Sequence, residues 1–189
     1  INRSAPILDG VALFGNTHTS SRIENVTLRN ATVNDTGKNV GTIVGDNSGL
    51  VSNVSATGSV SGDTNVGGLV GDNPGTVNAS YAVGNVSGAD HVGGLVGSNR
   101  GTVNASSATG NVSGVEEVGG LVGFNYDTVT NSYATGNVSG DTYVGGLVGS
   151  GDQATIELSH ATGTVSGDQY VGGLLGRGDG VVNESYATG

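Results

Sequence analysis

The chain has no cysteine, tryptophan or methionine, and it has only two phenylalanines, two prolines and, at Lys38, one lysine. Without cysteine, neither disulfides nor thiolate chemistry is available. So few large apolar side chains in 189 residues exclude the wide core of a conventional domain. No apolar run is long enough for a membrane helix and no signal-peptide pattern is present, which predicts a soluble, mature or excised segment with no membrane insertion. Sixteen acidic residues against six basic ones leave a formal charge of −10. That balance repels phosphate backbones and anionic lipid, so nucleic acid is excluded as a natural partner, and it suits a halophilic protein kept soluble in high salt. Two prolines are too few for a disordered linker, although the Gly, Ser, Asn and Asp content otherwise resembles one.

What is abundant is glycine, 37 residues of it, and it recurs in a pattern. Val66-Gly67-Gly68-Leu69-Val70-Gly71 is repeated at positions 92–97, 118–123 and 144–149, with near copies at 40–45 and 171–176. Taking the central aliphatic residue as a marker gives Leu13, Ile43, Leu69, Leu95, Leu121, Leu147 and Leu174, separated by 30, 26, 26, 26, 26 and 27 residues. A fixed period of this size signals a stacked repeat. Residues 1–39 read as a degenerate, capping first coil and 40–189 as regular repeats within one continuous domain. The last unit breaks off at Ser185-Tyr186-Ala187-Thr188-Gly189, as expected of a piece of a longer chain.

Each unit reads as three short strands, exemplified by 66–70, 76–82 and a third around Val86, with Gly, Asn, Asp and Pro between them. Comparing units separates inside from outside. Val51, Val77, Val103, Val129, Ile156 and Val182 are always aliphatic, and five residues on there is always alanine. Ser80, Ser106, Ser132, Ser159 and Ser185 precede that alanine by two and read as interior, as does the Val60, Val86, Val112, Val138 and Val165 column. Ile23, Val26, Leu28 and Val33 take the corresponding places in the first unit. The fold class is therefore all-β, a parallel β-solenoid of about seven coils of ~26 residues, giving a rod of roughly 30–35 Å at about 4.8 Å per coil. A propeller blade needs about 40 residues, so 26 is too few. Asn47, Asn73, Asn99 and Asn125 share one turn position, where their amides can form a ladder along the axis.

Strict alternation along the opening motif puts its valines on one face and its leucine on the other. Two valines bury more than one leucine, so the reading favours valine inward. Leu69, Leu95, Leu121, Leu147 and Leu174 then form an outward stripe of about 300 Å² that would pack against a partner, either another copy or another part of the parent chain.

The run Val-Gly-Gly-Leu-Val-Gly, then Asn, then Thr-Val-x-x-Ser-Tyr-Ala-Thr-Gly-Asn-Val-Ser-Gly, resembles the GLUG repeat closely over 40–189 and loosely in the first unit. The resemblance implies a β-helical, extracellular or cell-surface module of the kind found in adhesin-like proteins and in non-catalytic regions of secreted proteases. It transfers no catalytic residues.

The chemistry-bearing residues are sparse. His18, His91 and His160 lie at three different positions of the unit and do not converge, and no nucleophile elbow, P-loop or zinc helix is present. No enzyme activity, catalytic residue or cofactor is expected. Asp46 and Asp72 on adjacent coils, and Asp63, Asp141 and Asp168 at another turn, are weak calcium candidates, set against a solvated acidic face. The column Tyr81, Ser107, Tyr133, His160, Tyr186 faces outward. Its aromatic members are candidates for contact with surface glycans or proteins, or for a stabilising cross-coil stack. Asn-x-Ser/Thr sequons at Asn25, Asn30, Asn34, Asn53, Asn78, Asn85, Asn104, Asn111, Asn137 and Asn183, and at Asn2, mark possible N-glycosylation, though duplication of Asn-Val-Ser generates such sequons by itself. Arg177-Gly178-Asp179 spells an adhesion tripeptide that chance explains well in so glycine-rich a chain. The expected role is a rigid spacer or presenting scaffold in a surface adhesin, stalk or filament. The alternatives are a glycan- or protein-binding solenoid and an accessory region of a secreted hydrolase.

Overall fold

A computed structural model describes residues 10–189; the Asn2 sequon and the start of the first unit lie outside the described residues. The chain winds into a parallel β-solenoid of about seven turns bounded by three sheets. One coil runs through strands Thr64–Gly67, Val70–Asn73, Thr76–Asn78, Tyr81–Val83 and Val86–Ser87 before Asp90–Gly93 opens the next. Every pairing is parallel, and like residues meet: Val66 with Val92, Val77 with Val103, Val86 with Val112. The six-stranded sheet stacks the first strand of each coil, the twelve-stranded sheet the second and third, and the eleven-stranded sheet the fourth and fifth.

The expected strand over 66–70 is broken at its middle, because the chain turns a corner between Thr64–Gly67 and Val70–Asn73. Glycine makes the corner possible. A Cβ on Gly67 would lie 1.9 Å from the Val70 carbonyl oxygen, and Gly93 and Gly119 meet Val96 and Val122 at the same distance. A Cβ on Gly68 would meet the Gly94 carbonyl oxygen at 2.2 Å and the Ala82 methyl at 2.9 Å, so the coil is pinched where this glycine faces alanine. The pinch divides the interior in two. Val66, Val86 and their equivalents fill a narrow compartment, while Leu69, Val70, Val77 and Ala82 with theirs fill the larger one.

The corner also corrects the outward leucine stripe. Leu69, Leu95, Leu121 and Leu147 are all 0 % exposed, and Leu174, nearest the last coil, is half-buried against the same core. Alternation requires an unbroken strand, whereas here the chain bends between the valine and the leucine, and both point inward.

The expected strand over 76–82 is likewise divided. Ala79, Ala105, Asn131, Leu158 and Glu184 all hold left-handed φ values between 47° and 50°, a conformation uncommon for residues other than glycine. The serine column that follows secures this second corner. Ser80 Oγ donates to the Asn78 carbonyl at 2.7 Å and accepts from the Val54 N–H at 3.1 Å, and Ser106 does the same between Asn104 and Ser80. Each buried serine thus satisfies a carbonyl on its own coil and an amide on the coil before it.

At the first unit Ile23 and Val33 are buried, and Val26 and Leu28 are half-buried against the core. The last coil leaves Val171, Val181 and Val182 exposed, so the apolar interior is open at that end.

Because the leucine column lies in the core, Leu121→Ala is expected to destabilise the chain by about 2–5 kcal/mol, the cost of a buried cavity. Chemical denaturation would read this. A loss under about 0.5 kcal/mol would mean that Leu121 is not packed as described.

Candidate functional site

The turn after Val70–Asn73 carries the asparagine column, and its amides are joined along the axis. Asn47 Nδ2 donates to Asn73 Oδ1 at 2.8 Å, Asn73 to Asn99 at 2.8 Å, and Asn99 to Asn125 at 2.7 Å. The same amide nitrogens also reach the carbonyl two residues on, as from Asn99 to Gly101 at 2.8 Å. All four side chains are fully buried, and Thr17 Oγ1 donates to Asn47 Oδ1 at 3.0 Å to begin the series. The ladder ends where Gly151 takes the next place. There the one-residue insertion replaces the turn with a long strand, Val148–Glu157, whose pairing with Leu175–Asn183 shifts between Gly151 and Ala154.

Two further columns flank the first corner. One holds Asn39, Asn65, His91, Glu117, Tyr143 and Tyr170, all at left-handed φ values between 48° and 55°. The other runs Asp46, Asp72, Ser98, Phe124, Ser150 and Arg177. The two meet with an offset of one coil. The His91 and Phe124 rings are 5.3 Å apart, and the Arg177 guanidinium lies over the Tyr143 ring at 5.1 Å. A pocket of about 400 Å³ opens between them, bounded by Glu117, Phe124, Ser150, Asp152 and Arg177. Arg177 is therefore occupied by Tyr143, and Asp179 accepts a hydrogen bond from the Gln153 N–H at 2.6 Å, so the adhesion tripeptide is built into the groove wall.

Within this groove Asn65 Nδ2 donates to Asn39 Oδ1 at 2.7 Å, and Asn65 Oδ1 faces His91 Nδ1 at 2.6 Å. On the far side of the ring His91 Nε2 lies 2.6 Å from Glu117 Oε2 and 3.6 Å from Asp90 Oδ1. Among the described residues, Asp90, His91 and Glu117 are the one group of three side chains whose metal-capable atoms lie within 4.8 Å of one another. Burial alone disfavours the imidazolium, but the carboxylates of Glu117, then Asp90 and Glu116, outweigh it and raise the His91 pKa. Comparing the histidines only with one another missed this group, because its partners are carboxylates on the same and the next coil. The signal was His91 and Glu117 standing one period apart.

The calcium candidates do not come together as one site. Asp72 is 1 % exposed and is bound through both carboxylate oxygens by Arg100, two residues past its counterpart on the next coil. Burial and the neighbouring Asp72 raise the pKa of Asp46, with Arg100 opposing. Asp141 and Asp168 are on adjacent coils and exposed, but Asp63 is separated from Asp141 by Ala89 and Val115 at the same turn.

The outward aromatic column divides as well. Tyr133, His160 and Tyr186 stack almost in parallel, with centroids 5.2 and 4.9 Å apart, whereas Ser107 intervenes between Tyr81 and Tyr133. The stacked rings turn their faces to one another, which leaves mainly edges for a ligand.

The sequons differ in their geometry. Asn104 Nδ2, the atom a glycan would occupy, donates to Asn78 Oδ1 at 2.8 Å, and both residues are half-buried. Asn85, Asn111 and Asn137 are exposed and use Oδ1 to accept backbone N–H bonds from the next coil, which leaves Nδ2 toward solvent. Asn25, Asn30, Asn34, Asn53 and Asn183 are also exposed.

Comparison with known proteins gives two findings. The GLUG motif matches residues 114–139 and 140–166, two adjacent units, so the chain carries GLUG motif repeats wound as a β-solenoid. Over 55 residues it is 46 % identical to halomucin of Haloquadratum walsbyi, a large surface protein; the match covers 29 % of this chain and 1 % of halomucin. No solved structure matches.

Replacing Asn99 by alanine orphans the Asn125 amide oxygen and removes the acceptor that Asn73 Nδ2 uses inside the coil. It is expected to cost about 2–4 kcal/mol in chemical denaturation, and a neutral result would show that the ladder carries no stability. Asp46→Asn is expected to act in the opposite direction. With a folded-state pKa above the ordinary aspartate value, ionised Asp46 costs stability above that raised pKa and costs nothing below the ordinary one. The variant should therefore melt higher than the parent at pH 7 and equal to it near pH 3; a lower melting temperature at pH 7 would contradict the assignment.

Proposed function

We propose that this chain is a non-catalytic structural module of a larger extracellular surface protein, acting as a stiff spacer that presents neighbouring domains. The observation that carries the reading is the buried asparagine ladder, which spends interior polar groups on holding coil to coil. Partial similarity to halomucin, a secreted surface protein, supports the extracellular setting. The charge of −10 with a single lysine supports a high-salt medium, where an acidic surface stays hydrated. Its partners are then other domains of the parent chain or other copies, meeting it at the last coil, where strand edge and apolar side chains are exposed. The parallel stacking of Tyr133, His160 and Tyr186 favours a cross-coil stabilising role for those rings over a glycan platform.

A spacer should exchange its core amides slowly over every internal coil, and Tyr81→Ser/Tyr133→Ser/Tyr186→Ser should leave its interactions unchanged. Hydrogen exchange with a glycan array on both proteins tests this. Specific glycan capture by the parent that the triple variant loses would replace the spacer reading with a binding one.

A further inference from the structure

We propose that Asp90, His91 and Glu117 form a binding site for one divalent transition-metal ion, of which zinc is the representative. Asn65 gives its Nδ2 hydrogens to Asn39, so the atom it turns to His91 is the carbonyl oxygen, an acceptor only. His91 Nδ1 must therefore carry the proton. In the neutral ring Nε2 is then left with its lone pair, facing Glu117 Oε2 and Asp90 Oδ1. An imidazole whose far nitrogen is pinned to a carbonyl oxygen is the arrangement by which proteins orient a metal-ligating histidine.

A second observation is independent of the first. Glu117 Oε2 is buried, and its close neighbour is His91 Nε2 at 2.6 Å, which pairs with it only when the ring is protonated. Opposite the neutral ring that buried carboxylate oxygen has no donor, which is costly, and a cation between it and Nε2 would satisfy both lone pairs. Zinc binds nitrogen and carboxylate oxygen at about 2.0–2.2 Å, which sets ligand atoms on a tetrahedral ion roughly 3.3–3.5 Å apart. Asp90 Oδ1 already stands 3.6 Å from Nε2, and the Glu117 contact must widen by under about 1 Å. Water from the neighbouring pocket completes the shell. Two carboxylates with one imidazole suit a borderline ion better than calcium, which prefers oxygen donors throughout. Phe124 packs against the imidazole, and Glu116 adds negative charge nearby.

The site joins two successive coils at the one place where the Asn39–Asn65 amide series changes into other residue types. A bound ion would continue by coordination the inter-coil linkage that the amides begin.

The test is isothermal titration of the full 189-residue chain, stripped with a chelator and dialysed, with ZnCl2 as the probe. One site per chain is expected, weakened at least tenfold by His91→Asn and by Glu117→Gln and unchanged by His160→Asn. His91→Asn extends the Asn39–Asn65 series by one amide and so preserves the coil, and Glu117→Gln keeps the shape of its side chain; melting in the presence of chelator checks that each is folded. No zinc uptake by the parent, uptake that survives both substitutions, or equal heat from CaCl2 would each overturn the proposal.

Discussion

The structure depends on hydrogen bonds made by small polar side chains at the corners of each coil. A solenoid with two phenylalanines and no tryptophan buries little apolar surface per residue, and its 37 glycines raise the entropy cost of ordering the chain. The corners are also where backbone groups turn away from the sheets and would otherwise be left unsatisfied inside the protein. Asn73 and Ser80, with their equivalents, meet that need twice over, each bonding its own coil and the one beside it. Because the partner stands at the equivalent position of the neighbouring coil, the bonds also fix the register.

The apolar interior is shaped by the same corners. Gly67 lets the chain turn, Gly68 lets opposite walls approach until its backbone meets the Ala82 methyl, and the interior divides into a valine compartment and a leucine compartment. Identical side chains then stack along the axis in both.

Most of this was legible from the period alone. Columns of like residues identified the aliphatic interior, the asparagine turn and the outward tyrosines, because stacking in register is what a fixed period means physically. The corner between Gly67 and Leu69 was not legible. Alternation assumes extended backbone, and nothing in Val-Gly-Gly-Leu-Val-Gly states where it bends, so alternation alone puts the leucines outside. The left-handed corner at Ala79 was hidden for a related reason: its occupants include alanine, leucine and glutamate, which do not advertise that conformation. Asp72 was legible as an acid in a column but not as a partner of Arg100. The Asp90, His91 and Glu117 group was in view one period apart, yet it required a comparison between unlike residues, which a search for repeats passes over.

The central claim is that neighbouring corner side chains act as a connected series. A double-mutant cycle tests it most directly: Asn73→Ala and Asn99→Ala singly and together, beside the separated pair Asn47→Ala and Asn125→Ala. The account predicts a coupling of about 1 kcal/mol or more for the adjacent pair and close to zero for the separated one. Additive losses for Asn73 and Asn99 would contradict it.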